Sequence, residues 1–291
     1  MYSRFQALKK YDLESLQNST AAVIGLGATG SVIAEHLARH GVNLVLIDRD
    51  YLEMNDLYSS NLYSKSQCED SLPKAKAAEE KLSELTSVKA YVENIDSENI
   101  EMLDVDIILD GTDNLQTRMV IEEFSKEQNI PWIYTSALGE RGFSMFIQKK
   151  CFSCMFKKLN PSSSCERNGV MREISSITAS ISALKAVKHL SGLKIKEELE
   201  MLPNKKSFEL GECSCDSLEI EASPVCGENK YQVFGSNKPE DFNNNVLIEN
   251  DYLRKVEYGD NELTIFNSGR AIVHADSKKD AERLYREASS I

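Results

Sequence analysis

The sequence predicts an α/β protein with a Rossmann-like, doubly wound and mainly parallel sheet. One observation is a short apolar stretch over residues 21–24, which leads into a turn containing Gly25, Gly27 and Gly30. Another is the alternation of strand-like and helix-like patterns after this turn, and a third is Asp48 at the end of the second strand pattern. A strand, glycine turn, helix, strand and acid in this order are typical of a nucleotide-binding βαβ unit.

The glycine turn predicts the position of the nucleotide. In such turns the first glycine allows a tight bend, the second lets a phosphate approach and the third lets the helix pack close to the strand. A helix over residues 31–40 would direct its N–H groups and its partial positive charge at an anion. Asp48 follows at roughly the spacing of a ribose-binding carboxylate. ATP and a dinucleotide such as NAD both remain compatible with this pattern.

The next patterns extend the sheet and its helices. Strand patterns cover residues 43–47, 88–95, 105–109, 132–136 and 144–148, and helix patterns cover residues 74–85, 115–127 and 175–190. A further pair of strands is predicted over residues 207–210 and 218–222. In the helix over residues 175–190, four apolar side chains are spaced along one face, and they are Ile177, Ile181, Leu184 and Val187.

Two units are predicted, a nucleotide-binding domain over residues 1–228 and a small C-terminal α+β extension over residues 229–291. In the extension, strands over residues 263–266 and 271–274 flank Asn267-Ser-Gly269, which is a good hairpin turn. Ser277 is expected to cap a terminal helix.

Composition excludes several classes of protein. The formal charge of −12 argues against general nucleic-acid binding, which relies on a basic face. The sequence contains no apolar run long enough to cross a membrane and no signal-peptide pattern at its start, so a cytoplasmic location is expected. Seven cysteines in such a chain indicate metal ligands or a reactive thiol rather than disulfides.

A second motif, Asp110-Gly-Thr-Asp113-Asn114, follows a buried strand pattern. Asp113 would lie at the carboxyl edge of the sheet, where open α/β folds bind ligands, and could hold Mg²⁺ against phosphates. Alternatively, Asp113 caps the helix that begins near Asn114. Lys74, at the start of its own helix, could reach a phosphate or could be a solvated surface lysine.

Five motifs follow one another along the chain, and they are Gly25-Leu-Gly-Ala-Thr-Gly30, Asp48-Arg-Asp50, Pro73-Lys74-Ala75, Asp110-Gly-Thr-Asp113-Asn114 and Arg118. In this order they resemble the motifs of the ThiF/MoeB/HesA proteins, which are similar to the adenylating half of ubiquitin-activating enzymes. The resemblance covers about the first four-fifths of the chain. It implies an enzyme that binds ATP and adenylates the C-terminal glycine of a small ubiquitin-like or sulfur-carrier protein ending in Gly-Gly.

The resemblance also assigns roles to residues. It implies that Asp48 holds the ribose, Lys74 the phosphates and Asp113 the Mg²⁺, with Asp50 and Asn114 in the same ATP site. Arg4 stands where the family's N-terminal segment often reaches into the partner subunit's site, which implies a homodimer.

One stretch departs from the family. The family usually has Asn-Leu-x-Arg-Gln where this chain has Asp56-Leu-Tyr-Ser59-Ser60. In this alignment an acid replaces the asparagine, unless Asn55 or Asn61 substitutes for it in a shifted register, and the phosphate-contacting arginine is missing. Either Arg49, Lys65 or Arg118 compensates, or ATP use is altered or weak.

Two predictions concern cysteines. Cys151 and Cys154 match the first half of the family's structural Zn²⁺ site, and Cys226 matches part of the second half. Cys215 or Cys213 would supply the fourth thiolate of a tetrahedral site; the alternative is a degenerate site without metal. Cys165 matches the position where some relatives carry a cysteine that accepts the activated carrier.

Three other functions compete with carrier adenylation. The same fold activates small carboxylates or modified tRNA bases in some relatives. An NAD-dependent dehydrogenase is compatible with the glycine turn, but it leaves Lys74 and Asp113 unexplained. A binding scaffold with weakened activity is compatible with the missing arginine.

Overall fold

The computed structural model describes residues 3–96, 99–152, 169–204, 206–209, 221–224, 230–235, 237–249, 253–266 and 271–289. The first sheet has eight strands in the order β3-β2-β1-β4-β5-β6-β7-β8. They are β1 (Thr20–Ile24), β2 (Asn43–Ile47), β3 (Val88–Tyr91), β4 (Ile107–Asp110), β5 (Trp132–Leu138), β6 (Arg141–Ile147), β7 (Glu198–Leu202) and β8 (Lys206–Glu209). Strands β1 to β5 are parallel, whereas β6, β7 and β8 are added antiparallel. The mainly parallel sheet is therefore confirmed.

Helices cover both faces of this sheet. They are α1 (Ser3–Gln6), α2 (Leu13–Asn18), α3 (Gly30–Ala38), α4 (Asp56–Ser59), α5 (Lys65–Glu69), α6 (Lys74–Leu82), α7 (Leu115–Gln128) and α8 (Arg172–Leu190), with a 3₁₀ turn at Ile100–Met102. One apolar cluster joins α3, α6 and α8 to one face, and a second cluster joins α7 to the other. Among the described residues, no helix is both long enough and apolar enough to span a membrane.

Strand β1 shows why the sheet is doubly wound. Ala21 and Val23 lie in the cluster with α3, whereas Ala22 and Ile24 lie in the cluster with α7. All four are almost fully buried. Because side chains alternate between the two faces, a strand covered on both sides must be apolar at every position.

The order of the strands also locates the ligand-binding edge. From β1 the chain winds outward through β2 to β3, and then returns to place β4 on the other side of β1. The helices that follow β1 and β4 therefore leave in opposite directions, which opens a crevice at the carboxyl ends of these strands.

A second, fully antiparallel sheet has the order β11-β12-β13-β14-β10-β9. Its strands are β9 (Glu221–Pro224), β10 (Lys230–Phe234), β11 (Asn245–Glu249), β12 (Leu253–Tyr258), β13 (Asn261–Phe266) and β14 (Ala271–His274), and it is accompanied by a 3₁₀ turn (Pro239–Asp241) and helix α9 (Lys278–Ala288). Strands β13 and β14 pair antiparallel, and the Ser277 hydroxyl caps α9 by accepting from the N–H of Asp280 at 3.2 Å. Phe266 and Ile272 pack into the α7-side core of the first sheet.

The predicted pairing of residues 207–210 with 218–222 is wrong. Strand β8 pairs with β7, a strand not predicted from the sequence, and β9 pairs with β10 in the second sheet. The second sheet thus begins at Glu221, upstream of residue 229. The division of the chain at residues 228 and 229 itself stays a prediction.

The apolar face predicted for helix α8 is buried only in part, since Val187 lies in the core but two other residues of that face are exposed. Ile177 and Leu184 are 43% and 41% exposed, whereas the small side chains of Thr178 and Ala179 are buried. Strand β6 lies very close, since a Cβ added to Gly142 would stand 1.8 Å from the Thr178 Oγ1. Only small side chains fit between helix and sheet at that distance.

Candidate functional site

A cavity of about 340 Å³ opens at the carboxyl ends of the parallel strands. Its lining includes most of the predicted nucleotide-site residues, which are Gly25, Gly27, Asp48, Asp50, Lys74, Asp113 and Asn114. The fold thus brings together segments that lie almost 90 residues apart in the sequence. Their proximity follows from the crevice between β1 and β4.

The glycine turn shows a steric reason for two of its three glycines. Gly25 has a φ of +83°, a conformation that side-chain-bearing residues rarely adopt. A Cβ on Gly30 would stand 1.7 Å from the carbonyl oxygen of Gly25, so the start of α3 could not pack against β1. A Cβ on Gly27 would meet nothing within 4 Å. Gly27 lines the cavity, so its backbone is open to a ligand.

Asp48 ties the end of β2 to the glycine turn. Its Oδ2 accepts the N–H of Leu26 at 2.6 Å, and its Oδ1 accepts the N–H of Asp50 at 2.8 Å. Burial raises the pKa of Asp48, and these two hydrogen bonds act in the opposite direction. Each carboxylate oxygen has two lone pairs, so acceptor capacity remains for a hydroxyl in the cavity.

Lys74 is the first residue of α6 and lines the cavity. Its Nζ lies 3.1 Å from the Oδ1 of Asp56, and the two side chains are only 14% and 13% exposed. Lys74 is therefore not a solvated surface lysine. Its partner is the acid that is expected to replace the family's asparagine.

Arg118 is held by a buried network beside the cavity. Its Nε donates to the Oδ2 of Asp110 at 2.8 Å, and its Nη2 donates to the carbonyl oxygens of Thr112 and Thr135. The guanidinium also stacks over the ring of Tyr134, with its Cζ 4.8 Å from the centroid. Burial raises the pKa of the Asp110 carboxyl, and the adjacent guanidinium lowers it.

Asp113 is exposed at the rim of the cavity. The alternative that it caps α7 is wrong, because Asn114 is the N-cap and its Oδ1 accepts the N–H of Gln116 at 2.8 Å. A single carboxylate suits Mg²⁺, which is commonly held by one or two carboxylates together with substrate phosphates. In the described ranges no group of three or more His, Cys, Asp or Glu side chains is arranged to hold a metal.

The three cations predicted to compensate for the missing arginine differ in position. Arg49 lines the cavity, is 62% exposed and contacts Asp50 at 3.6 Å. Lys65 forms an exposed pair with Glu69 within α5, at 3.3 Å. Arg118 lines the cavity but is engaged by Asp110. Of these three cations, Arg49 is therefore the one that both lines the cavity and is largely exposed.

Several polar residues that line the cavity were not predicted from the sequence, among them Glu93, Asn94, Thr117, Ser136 and Ser175. Glu93 and Asn94 follow β3, and Ser136 lies near the end of β5. The rule that ligands bind at the carboxyl ends of parallel strands could have identified these three residues. Ser175 lies in α8, and no sequence signal placed it at the cavity.

Several predicted site residues lie outside the described part of the chain. They are Cys154, Cys165, Cys213, Cys215, Cys226 and the side chain of Arg4. Of the predicted Zn²⁺ ligands only Cys151 is described. It is 2% exposed, and the Nζ of Lys126 lies 3.7 Å from its Sγ.

The glycine turn at the crevice, with an acid after β2 and polar groups after β4, defines a nucleotide-binding α/β protein. The chain belongs to the ThiF family, whose model matches residues 2–227. The resemblance noted in the sequence is thereby confirmed.

Two relatives and one solved structure extend this finding. The sulfur carrier protein ThiS adenylyltransferase of Bacillus subtilis (strain 168) is 28% identical over 306 residues, which cover 90% of this chain and 89% of that protein. The protein of the same name from Escherichia coli (strain K12) is 29% identical over 229 residues, covering 74% of this chain and 88% of that one. E. coli MccB in a structure with MccA-N7isoASN has a TM-score of 0.61 at 18% identity, covering 78% of this chain and 74% of that one. The likeness to MccB shows the fold alone.

Proposed function

We propose that this chain is an ATP-dependent adenylyltransferase that activates the C-terminal glycine carboxylate of a small sulfur-carrier or ubiquitin-like protein. The observation that carries the proposal is the single cavity lined by the glycine turn, Asp48, Lys74 and Asp113 in a chain of the ThiF family. Two relatives that match most of their own length are named as adenylyltransferases of the sulfur carrier ThiS. A dehydrogenase would leave the cation and the exposed acid at this cavity without a role.

The positions of the residues at the cavity support the roles that the family resemblance implies. The open backbone at Gly27 and the N-terminus of α3 would receive phosphate, because both present N–H groups and partial positive charge. Asp48 would accept a ribose hydroxyl, and Lys74 would neutralise phosphate charge. Asp113 would hold Mg²⁺, which when bound would neutralise charge on the leaving pyrophosphate.

In the proposed reaction one carboxylate oxygen of the terminal glycine attacks the α-phosphorus of ATP. The bond from that phosphorus to the bridging oxygen breaks, and pyrophosphate leaves with the electron pair. The product is an acyl-adenylate. A carboxylate is already deprotonated at neutral pH, so the chain needs to hold two anions together and exclude water rather than supply a general base.

The experiment is carrier-dependent exchange of labelled pyrophosphate into ATP. We expect exchange with a carrier ending in Gly-Gly and none with the same carrier lacking those two residues. Failure of every Gly-Gly-ending partner, together with exchange driven by a small carboxylate, would replace the carrier by a small-molecule substrate.

A second candidate is a scaffold with weakened activity, and one observation favours it. The cation expected to bind phosphate is already neutralised by Asp56 at 3.1 Å. Carrier binding without any pyrophosphate exchange would support the scaffold over the enzyme.

We further propose a homodimer in which Arg4 reaches the partner subunit's site. The exposed apolar side chains of Ile177 and Leu184 on α8 are consistent with a surface covered by a second copy. Analytical ultracentrifugation checks this, since a dimer is expected for the wild type and a monomer for a variant with both side chains changed to Asp.

The cysteines carry two further proposals. Zn²⁺ would be held by Cys151, Cys154 and Cys226 with Cys215 or Cys213, and we expect about one zinc per chain, lost in Cys226→Ala.

The second proposal concerns Cys165, whose thiolate would form a C–S bond to the acyl carbon while AMP leaves. A thiol-sensitive adduct that persists in Cys165→Ser would remove Cys165 from the reaction.

A further inference from the structure

The contact between Asp56 and Lys74 is more ordered than a chance pairing of surface charges. One carboxylate oxygen of Asp56, Oδ1, lies 3.1 Å from the Nζ of Lys74. The other, Oδ2, accepts the backbone N–H of Glu53 at 2.9 Å. The carboxylate is therefore oriented by its own loop before any ligand enters.

The backbone around the pair is also tied together. The N–H of Lys74 donates to the carbonyl of Asp50 at 2.9 Å, and the N–H of Leu52 donates to the carbonyl of Leu72 at 2.8 Å. An isolated bridge joins Tyr51 to Pro73. These contacts fix the loop that carries Asp56 against the first turn of α6, so the lysine is held close to the acid.

The charges around the cavity explain why the Lys74–Asp56 ion pair matters for binding an anionic ligand. Among the described residues, three cationic side chains line the cavity, and each has a carboxylate partner: Arg118 with Asp110, Lys74 with Asp56 and Arg49 with Asp50. Arg118 is 7% exposed and engaged by several acceptors, whereas Arg49 is largely exposed. A polyphosphate entering the cavity would therefore have to compete with a carboxylate for Lys74.

We propose that Asp56 is a positioning residue that competes with nucleotide phosphate for Lys74, so that ATP binding exchanges the Lys74–Asp56 ion pair for a Lys74–phosphate ion pair. Asp56 thereby weakens the affinity for the phosphate part of the nucleotide and keeps Lys74 in place while ATP is absent. The proposal rests on the ATP-dependent function proposed above, because it needs a phosphate ligand in this cavity.

The variant Asp56→Asn tests the exchange. Its amide oxygen can still accept the N–H of Glu53, but the charge that competes for Lys74 is removed. We expect the Kd for ATP with Mg²⁺, measured by isothermal titration calorimetry, to fall about tenfold, as for loss of a partly buried ion pair. The Kd for inorganic tripolyphosphate should fall similarly, whereas the Kd for adenosine, which has no phosphate, should not change.

Matched controls separate this effect from a general change of charge or fold. Glu69→Gln removes one negative charge from the exposed pair in α5 and should leave the ATP affinity unchanged. Asp56→Glu keeps the charge and should bind ATP about as weakly as the wild type. In a Lys74→Ala background, Asp56→Asn should raise the affinity for ATP less than about threefold, because only screened, longer-range repulsion between Asp56 and the phosphates is then relieved.

The outcomes of the experiment are distinguishable. A wild type that binds ATP, with Asp56→Asn showing the same ATP affinity or a gain for adenosine as well, overturns the exchange and leaves the proposed function standing. If the wild type binds neither ATP nor tripolyphosphate but Asp56→Asn binds both, competition by Asp56 is supported, whereas the exchange in the wild type and its ATP-dependent function are overturned. If neither protein binds them, both proposals fail.

Discussion

Two ion pairs beside the same cavity differ in how firmly they are held. Asp110 and Arg118 are 0% and 7% exposed, and the guanidinium also donates to two backbone carbonyls. Asp56 and Lys74 are 13% and 14% exposed and share a single contact at 3.1 Å. Because an unpaired charge costs most where water is excluded, the first pair is structural and the second can exchange its partner.

The largest expected effect comes from breaking the buried pair. Arg118→Ala leaves the Asp110 carboxyl without its cation in a fully buried place, so we expect the free energy of unfolding to fall by about 3–5 kcal/mol. Urea denaturation measures this. Arg39→Ala breaks an exposed pair with Glu35 and should cost less than about 1 kcal/mol. Equal losses in the two variants would contradict the structural role of Arg118.

The second effect concerns Lys74 and should appear in activity rather than stability. Lys74→Ala removes a cation that faces developing phosphate charge, so pyrophosphate exchange should fall about 10²–10³-fold. The free energy of unfolding should fall by only about 1 kcal/mol. Lys76→Ala is the matched control, since Lys76 is directed at Glu79 and the carbonyl of Ala90. A comparable loss of exchange in that control would show that the effect is not specific to the cavity.

A third prediction uses Asp48, a cavity carboxyl held by backbone N–H groups. Burial raises the pKa of Asp48 in the folded protein above the usual value of 3.8, which applies to the unfolded chain. At a pH between these two pKa values, the folded protein keeps a proton that the unfolded chain has released. That stabilisation is present below pH 3.8 and is lost as the pH rises through the folded pKa. The free energy of unfolding of the wild type, relative to Asp48→Asn, should therefore decrease over this range. An increase with pH, measured by denaturant titrations, would show that the N–H groups outweigh burial.

The smallest effect is expected for the exposed ion pair of Arg49 and Asp50. Arg49→Ala removes a largely exposed guanidinium 3.6 Å from Asp50, and the free energy of unfolding should change by less than about 0.5 kcal/mol. If Arg49 compensates for the missing arginine, the Kd for ATP should rise about threefold, in keeping with a screened surface charge. No change in Kd would leave Lys74 as the principal phosphate-binding cation.

The elements that depend on a local sequence pattern were predictable. The contacts that depend on how closely distant segments approach each other were not. The glycine turn, the strands of the parallel sheet and the Ser277 cap follow from short-range sequence patterns. The packing of α8 does not, because Gly142 and Thr178 are 36 residues apart and their proximity favours small side chains on the buried face. Strand β9 was assigned to the wrong neighbour for the same reason, since strand pairing is a long-range choice.

By itself the sequence determined the glycine turn, the order of strands and helices, and the identity of the acids and cations that could meet a nucleotide. The tertiary structure decided which charges meet: Lys74 is paired with Asp56, Arg118 with Asp110, and Asn114 rather than Asp113 caps α7. The physical reason is that the energy of a charge depends on its burial and its partners, and both are set by segments far apart in the chain. The glycine turn therefore specifies a nucleotide site, while the packing around it sets which cation is available to the phosphates.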